Sequence, residues 1–213
     1  RLSMIKKRIG ISLRIVENTR YPESRDVLSH EWAQILEELN FVPIMIPNSL
    51  KNLHEFLNNI KIDGIILSGG DNIGDTPLRD KTELNLLTFG IEHNLPILGV
   101  CRGFQIINNF FEGDLIVTSN KKHVNSNHLI EIQESNFLEI INKKQFNVNS
   151  YHDNIISNET LSNSLIPIGV CITDKTIEIC KHKTFPILCV MWHPERDIND
   201  INKIILKNFF DQL

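Results

Sequence analysis

Short apolar runs alternate with amphipathic segments along the first half of the chain. The runs are rich in branched residues, which favours buried strands, and they span 8–15, 41–46, 63–68 and 96–100. The segments between them place apolar residues at helical spacing, and helices are predicted from about residue 24, after 48 or 49, over 81–93 and over 104–111. This alternation predicts a parallel, doubly wound α/β sheet.

The second half of the chain has a different pattern. Its apolar segments are joined by short turns, and they span 129–132, 166–172, 176–180 and 186–192. They predict an antiparallel extension of the sheet, followed by a closing helix whose apolar stripe runs from Ile198 to Phe209. Because no linker interrupts the pattern, residues 1–213 are expected to form one domain, with residues 1–3 interpreted as a tag or linker remnant.

Charge and composition narrow the range of partners. The 213 residues include 22 basic and 26 acidic side chains, a net charge of -4, and no basic block, which argues against nucleic acid and anionic membranes. No apolar run approaches the roughly 18 residues of a membrane span, and no apolar signal segment is visible, so a cytoplasmic location is expected. Since no glycine-rich nucleotide motif occurs either, no cofactor is predicted.

The sharpest local motif is the sequence Gly99-Val-Cys-Arg-Gly103, which lies where a predicted strand meets a predicted helix. A nucleophile on such a tight turn needs flanking glycines to relieve crowding. The helix N-terminus favours the thiolate of Cys101, which is the reactive form of cysteine. A small buried cysteine between packing glycines is an equally good interpretation of this motif alone.

A second motif, His193-Pro-Glu195, supplies a base. Side chains two apart in an extended segment point to the same face, so Glu195 is expected to orient the imidazole of His193 as it takes a proton from Cys101. Taken alone, the motif is more typical of a strand-end histidine beside an exposed glutamate.

A third motif, Gly69-Gly70 after the strand at 63–68, offers main-chain donors. The N–H groups of Gly70 and Arg102 are the predicted pair for an oxyanion, although an ordinary turn would have the same sequence. All three motifs follow predicted strands, and ligands of such sheets gather at the carboxyl ends of the strands. One crevice is therefore expected to hold them.

In this order along the chain, the motifs resemble class I glutamine amidotransferase-like enzymes, and within them the free-standing γ-glutamyl hydrolase branch. The resemblance implies a flavodoxin-like three-layer α/β sandwich with a mostly parallel central sheet and an antiparallel extension. It implies Cys101 as nucleophile, His193 as base and then acid, and Glu195 as the residue that orients the imidazole. The implied reaction is hydrolysis of a γ-glutamyl amide-type C–N bond through a thioester, with release of glutamate.

The resemblance also implies a site for the glutamyl head group of a small-molecule substrate. Gln105 and the loop Ser150, Tyr151 and His152 would hold this group, and Gly69 would line the oxyanion hole. The chain departs from the family within this loop, which reads Tyr151-His-Asp-Asn154 where relatives often have His-His-Gln. The departure leaves the three catalytic positions intact and leaves the substrate open.

The segment 14–32 gives a finer indication. It is similar to the corresponding segment of hydrolases that act on γ-glutamyl-CDP-amidate, a nucleotide phosphoramidate of bacterial capsule biosynthesis. In that case Arg14, Arg20 and Arg25 would bind phosphate oxygens, for which guanidinium groups are well shaped. The alternative is that the three arginines pair with neighbouring acidic side chains on the surface.

Other functions stay open at this point. The chain could hydrolyse γ-glutamyl-aminobutyrate or similar amines, or it could be a glutaminase subunit that delivers ammonia to a synthetase partner. A non-catalytic binding protein on the same fold is a third alternative. In the two enzymatic cases the substrate is a small molecule, and a synthetase partner is expected only for the glutaminase.

The remaining histidines and cysteines show no pattern typical of metal ligands. His123 and His128 occur in one region, and Cys171 and Cys180 follow later, but no spacing typical of zinc ligands joins them. The sequence therefore predicts no metal. Together with Cys189, these two cysteines are predicted to be small core residues.

Overall fold

The computed structural model describes residues 6–118 and 123–211. In these ranges the helices are α1 (His30–Glu38), α2 (Leu53–Ile60), α3 (Pro77–Glu92), α4 (Arg102–Phe110), α5 (Ser135–Ile141) and α6 (Asp200–Asp211), with a 3₁₀ turn at Pro194–Arg196. The strands are β1 (Arg8–Ser12), β2 (Arg14–Glu17), β3 (Ser24–Val27), β4 (Val42–Ile46), β5 (Gly64–Leu67), β6 (Ile97–Val100), β7 (Ile116–Val117), β8 (Val124–Ile132), β9 (Gln145–Tyr151), β10 (Asn154–Ile155), β11 (Leu165–Cys171), β12 (Ile177–His182) and β13 (Ile187–Val190).

A nine-stranded sheet organises the molecule, in the order β4-β1-β5-β6-β13-β12-β11-β8-β9. The first five strands are parallel, and their order is that of flavodoxin-like sheets. From β13 onward every pairing is antiparallel. The predicted α/β fold with an antiparallel extension is confirmed, and β6 and β13 place the Cys101 and His193 segments on neighbouring strands.

Helices cover both faces of this sheet because each presents an apolar stripe to it. On one face, Trp32 of α1 and Phe210 of α6 join one buried cluster. On the other face, Leu57 of α2, Leu86 of α3 and Phe104 of α4 join a second. The result is three layers, helix, sheet and helix. None of the helices in residues 6–118 and 123–211 is long and apolar enough to cross a membrane.

The prediction of a helix from about Ser24 is wrong. Residues Ser24–Val27 form β3, which pairs antiparallel with β2, and α1 begins only at His30. The predicted strand over 8–15 is likewise divided at Leu13 into β1 and the first part of this hairpin. The apolar stripe that predicts α1 does not extend to residues 24–27, which are mostly polar or charged and belong to the hairpin.

Other boundaries also differ from the predictions. α2 is capped by Asn52, whose side chain accepts a hydrogen bond from the Glu55 N–H, and not by a residue at 48 or 49. α3 begins at Pro77, a residue suited to the first turn of a helix. α5 and β9 were not predicted. Residues 1–3, interpreted as a tag or linker remnant, lie outside the described residues.

Candidate active site

Cys101 occupies a strained turn between β6 and α4. Its backbone has φ 52° and ψ -103°, a combination that side-chain-bearing residues rarely adopt and that functional sites often contain. The Cys101 N–H donates to the Val190 carbonyl of β13 at 2.8 Å, which anchors the turn to the sheet. A Cβ atom on Gly103 would lie 2.0 Å from the Leu67 carbonyl oxygen, so α4 can approach β5 this closely only with glycine there. The tight turn predicted at Cys101 is confirmed.

His193 follows β13 and faces the Cys101 thiol. Its Nδ1 atom lies 2.8 Å from Oε1 of Glu195, and both residues are only 3% exposed. Burial alone would lower the pKa of His193, but hydrogen bonds with Cys101 and Glu195 outweigh it and raise this pKa to about 9. The carboxylate therefore stabilises the imidazolium next to the thiol.

The contact between His193 and Glu195 forms, although not in the way predicted. His193 itself is extended, as expected of a residue before proline. Glu195 lies in the 3₁₀ turn Pro194–Arg196, not in an extended segment, so the expected alternation of faces is wrong. The turn instead folds the carboxylate back onto the ring of the residue two positions before it.

Asn149 of β9 holds the backbone of His193. Its Oδ1 atom accepts from the His193 N–H at 2.9 Å, and its Nδ2 group donates to the His193 carbonyl at 2.8 Å. The resemblance implied a substrate loop that begins beside this residue, but it gave Asn149 no role toward His193, because the sequence does not show which side chain of β9 reaches the segment after β13. The paired amide contacts fix where the imidazole can point.

The two-glycine turn after β5 borders the same site. A Cβ on Gly69 would lie 2.4 Å from Cε1 of His193, so the imidazole ring packs directly on this glycine. Gly70 has φ 137°, in the region that favours glycine. The Arg102 N–H is the first of α4, where no carbonyl of the helix can accept it. Gly70 thus lines the same cavity as Cys101, and Arg102 follows Cys101 at the start of α4.

A buried ion-pair cluster supports this turn from behind, and sequence reasoning missed it. Arg79, fully buried in α3, donates to the carbonyls of Ser68 and Gly69 at 2.8 and 2.9 Å. Its Nε group donates to Glu83 at 2.9 Å, and Glu83 also bonds the guanidinium of Arg102. The i,i+4 spacing of Arg79 and Glu83 was a usable signal, but the helix was predicted to begin after Arg79.

A cavity of about 360 Å³ opens over Cys101. Most residues predicted for the site line it, together with acidic and amide side chains that were not predicted. The lining consists of Arg14, Gly70, Asp71, Asn72, Asp75, Cys101, Gln105, Tyr151, His152, Asp153, Asn154, His193 and Arg196. Inside it, the Oε1 atom of Gln105 accepts from Asn154 at 3.3 Å, which connects the predicted head-group residue to the loop after β9.

One predicted substrate contact has a different role. The hydroxyl of Ser150 is buried and donates to the His123 carbonyl at 2.6 Å, and Ser150 is not among the residues that line the cavity. Its side chain holds β9 against the residue that precedes β8, and because successive side chains of a strand point to opposite faces, it points away from the face of Tyr151.

The three N-terminal arginines lie at different places in the β2–β3 hairpin. Arg14 lines the cavity and donates to Asp71 at 2.6 Å. Arg20 and Arg25 do not line it, and Arg25 pairs with Glu23, as the surface alternative requires. Sequence reasoning missed Arg196, whose guanidinium lies 4.5 Å from the centre of the Tyr151 ring at the cavity wall.

The structure separates the histidines from the cysteines that were considered as metal ligands. Cys180 is buried against Cys189 in the sheet, as predicted for core residues, and Cys171 is buried as well. His123 and His128 do lie together, with ring centroids 4.8 Å apart, but neither Cys171 nor Cys180 belongs to their cluster.

Comparison with known proteins identifies the family of the chain. The model of the Peptidase C26 family matches residues 9–195. The chain belongs to the Peptidase C26 family. It is thus a hydrolase of the class I glutamine amidotransferase-like group, which acts on C–N bonds.

Two relatives and one solved structure illustrate the range of this family. The chain is 31% identical to a γ-glutamyl-CDP-amidate hydrolase of Campylobacter jejuni, over 95% of this chain and 96% of the relative. It is 32% identical to a glutamine-hydrolysing GMP synthase subunit of Methanococcus aeolicus, over 84% and 89%. The solved structure of a candidate GMP synthase subunit from Thermoplasma acidophilum superposes with a TM-score of 0.73 at 22% identity, over 97% and 94%, and shares the fold.

Proposed function

We propose that the protein hydrolyses a γ-glutamyl amide-type C–N bond, with Cys101 as nucleophile, His193 as acid and base, and Glu195 as the residue that orients His193. One observation carries the proposal: the thiol on the strained turn meets an imidazole that is bonded on its other side to a buried carboxylate. This is the arrangement of nucleophile, base and orienting group that acyl transfer requires.

The reaction follows from these positions. The Cys101 thiolate attacks the γ-carbonyl carbon, and the N–H groups of Gly70 and Arg102 stabilise the negative oxygen that forms. His193, protonated on the nitrogen that faces Cys101, gives its proton to the leaving nitrogen as the C–N bond breaks. A γ-glutamyl thioester remains on Cys101. Water then loses a proton to His193 and attacks the thioester, which releases glutamate and restores the thiolate.

The pH dependence should report the interaction of His193 with its carboxylate. Because acylation needs the imidazolium, we expect kcat/KM for glutamate release to fall above an apparent pKa of about 9. In Glu195→Gln the neutral amide stabilises the imidazolium less, so the alkaline limb should move to lower pH. A profile that is the same in both proteins would show that Glu195 does not tune His193. Glu159→Gln, an exposed carboxylate elsewhere on the surface, is the control.

As substrate we propose a γ-glutamyl nucleotide phosphoramidate, such as γ-glutamyl-CDP-amidate. Two observations support this choice. The C. jejuni relative that carries this activity in its name aligns over almost the entire chain. In addition, Arg14 and Arg196 border the cavity that holds Cys101, where guanidinium groups can bind phosphate oxygens of a leaving group. Capsule modification would then be the process that the enzyme serves.

A panel of substrates tests this choice. With no partner protein present, glutamate release would be measured from γ-glutamyl-CDP-amidate, γ-glutamyl-aminobutyrate and glutamine. We expect the nucleotide compound to have the highest kcat/KM. In Arg14→Gln we expect kcat/KM for this compound to fall about tenfold, the order of one hydrogen bond to a charged group, with glutamine little changed. Arg20→Gln, in the same hairpin but outside the cavity lining, is the matched control.

The second candidate is a glutaminase subunit that supplies ammonia to a synthetase partner. The similarity to the GMP synthase subunit of M. aeolicus favours it. Glutamine turnover as efficient as that of the nucleotide compound, or a large rise in glutamine turnover when a synthetase is added, would support this candidate and contradict the phosphoramidate proposal.

A further inference from the structure

Four ionisable side chains meet in the antiparallel half of the sheet, apart from the catalytic residues proposed above. His123 precedes β8, His128 lies in β8, His152 follows β9, and Glu178 lies in β12. One nitrogen or oxygen atom of each lies within 4.8 Å of the others. The strand order brings them together although they are far apart in the sequence.

Each of these residues carries a buried polar atom that has no hydrogen-bond partner within the described part of the chain. The atoms are His123 Nδ1, His128 Nε2, His152 Nε2 and Glu178 Oε2. The four side chains are 3%, 8%, 2% and 0% exposed, so bulk water does not reach these atoms. Unpaired buried polar atoms cost free energy, and four in one place indicate that they share a ligand.

Contacts around the cluster fix how two of the imidazoles are protonated. His123 Nε2 lies 2.7 Å from the Asp174 carboxylate, and His152 Nδ1 lies 2.8 Å from the Asn154 carbonyl oxygen. Each ring therefore keeps its proton on the outer nitrogen and points a lone pair inward. Histidines that bind metals in proteins are held in the same way, by a carboxylate or a carbonyl on the far nitrogen.

The spacing of the donor atoms fits a small cation. His128 Nε2 and His152 Nε2 lie 3.5 and 3.9 Å from Oε1 of Glu178. Ligands of a tetrahedral zinc ion with bonds of about 2.0–2.2 Å lie roughly 3.3 Å from one another, so small side-chain movements would close the shell. Three imidazoles and one carboxylate are ligands that zinc accepts, and four protein ligands leave no open position.

We propose that His123, His128, His152 and Glu178 bind one Zn²⁺ ion in a closed, structural site. The site lies behind the loop that borders the Cys101 cavity: His152 lines that cavity, and Asn154, which holds the His152 ring, also bonds Gln105. The ion would therefore fix the position of the substrate loop. No sequence pattern indicates this cluster, because its ligands come from three separate strand regions and share no spacing motif.

Zinc titration tests the proposal. The assay uses the full chain with Cys101→Ala, so that the Cys101 thiol cannot bind the ion. The protein is stripped with a chelator, dialysed, and titrated with Zn²⁺ against a chromophoric chelator. We expect one ion per chain, and a melting temperature that rises with zinc. His128→Gln in this background should weaken binding more than about 100-fold, and Asp174→Asn about 10- to 100-fold, the usual effect of losing the partner of a ligating histidine.

His30→Gln, an exposed histidine at the start of α1, is the matched control and should bind zinc like the parent. Circular dichroism shows which variants fold. If His128→Gln does not fold, Asp174→Asn still tests the proposal. If the parent takes up no zinc, or binds it no more tightly than folded variants of the cluster, the proposal is wrong. The readout is independent of catalysis, so either result leaves the proposed reaction to its own test.

Discussion

Replacing Cys101 by alanine is expected to lower the rate of glutamate release about 10⁴-fold or more, the size of effect seen when a nucleophile is removed from a catalytic triad. The reason is that, among the described residues that line the cavity, only Cys101 carries a thiol that could form the γ-glutamyl thioester. The measurement is glutamate release from γ-glutamyl-CDP-amidate and from glutamine. Both should fall, because the two candidate functions share this first step.

The matched control is Cys189→Ala. Cys189 is buried like Cys101, but it lies in β13 against Cys180 and outside the cavity. This variant should lose some stability from the cavity it creates and keep its activity at a temperature where it is folded. A Cys101→Ala protein that folds and retains a tenth of the parent activity would contradict the nucleophile assignment for every γ-glutamyl substrate.

The Cys101 turn could be predicted because its signals are local. Glycines on both sides of a cysteine between a strand and a helix describe a tight turn, and the structure confirms it through the close approach of Gly103 to Leu67. The contact between His193 and Glu195 was likewise predicted, and the structure contains it. In both cases the geometry depends on residues within a few positions of each other.

The features that could not be predicted from the sequence depend on contacts across the sheet. Asn149 holds His193 from a strand 44 residues earlier, and no sequence pattern records that neighbourhood. Arg79 lay outside the predicted helix and Glu83 was given no role, yet both are fully buried against the turn after β5. The β2–β3 hairpin was missed because apolar spacing is ambiguous over four-residue strands.

The ion-pair cluster behind the glycine turn yields the largest expected effect on stability. Glu83 is fully buried and bonds the guanidinium groups of Arg79 and Arg102 as well as the Ser12 hydroxyl. Burial lowers the pKa of both arginines to about 10, which shows how costly their charges are in this place. Glu83→Ala would remove one carboxylate from the buried guanidinium groups of Arg79 and Arg102. We expect the free energy of unfolding to fall by about 3–5 kcal/mol, measured by urea denaturation.

Glu92→Ala, an exposed carboxylate at the end of the same helix, should change the free energy of unfolding by less than about 0.5 kcal/mol. A Glu83→Ala protein as stable as this control would mean that the cluster contributes little to folding. The double variant Arg79→Met with Glu83→Leu then separates stability from positioning. Apolar replacement of a buried pair often restores stability, and Asp80 still bonds the Arg102 guanidinium that loses Glu83. A methionine side chain in place of Arg79, however, cannot donate to the carbonyls of Ser68 and Gly69. We therefore expect a folded protein whose kcat stays low, because the turn that carries Gly70 is no longer held toward Cys101.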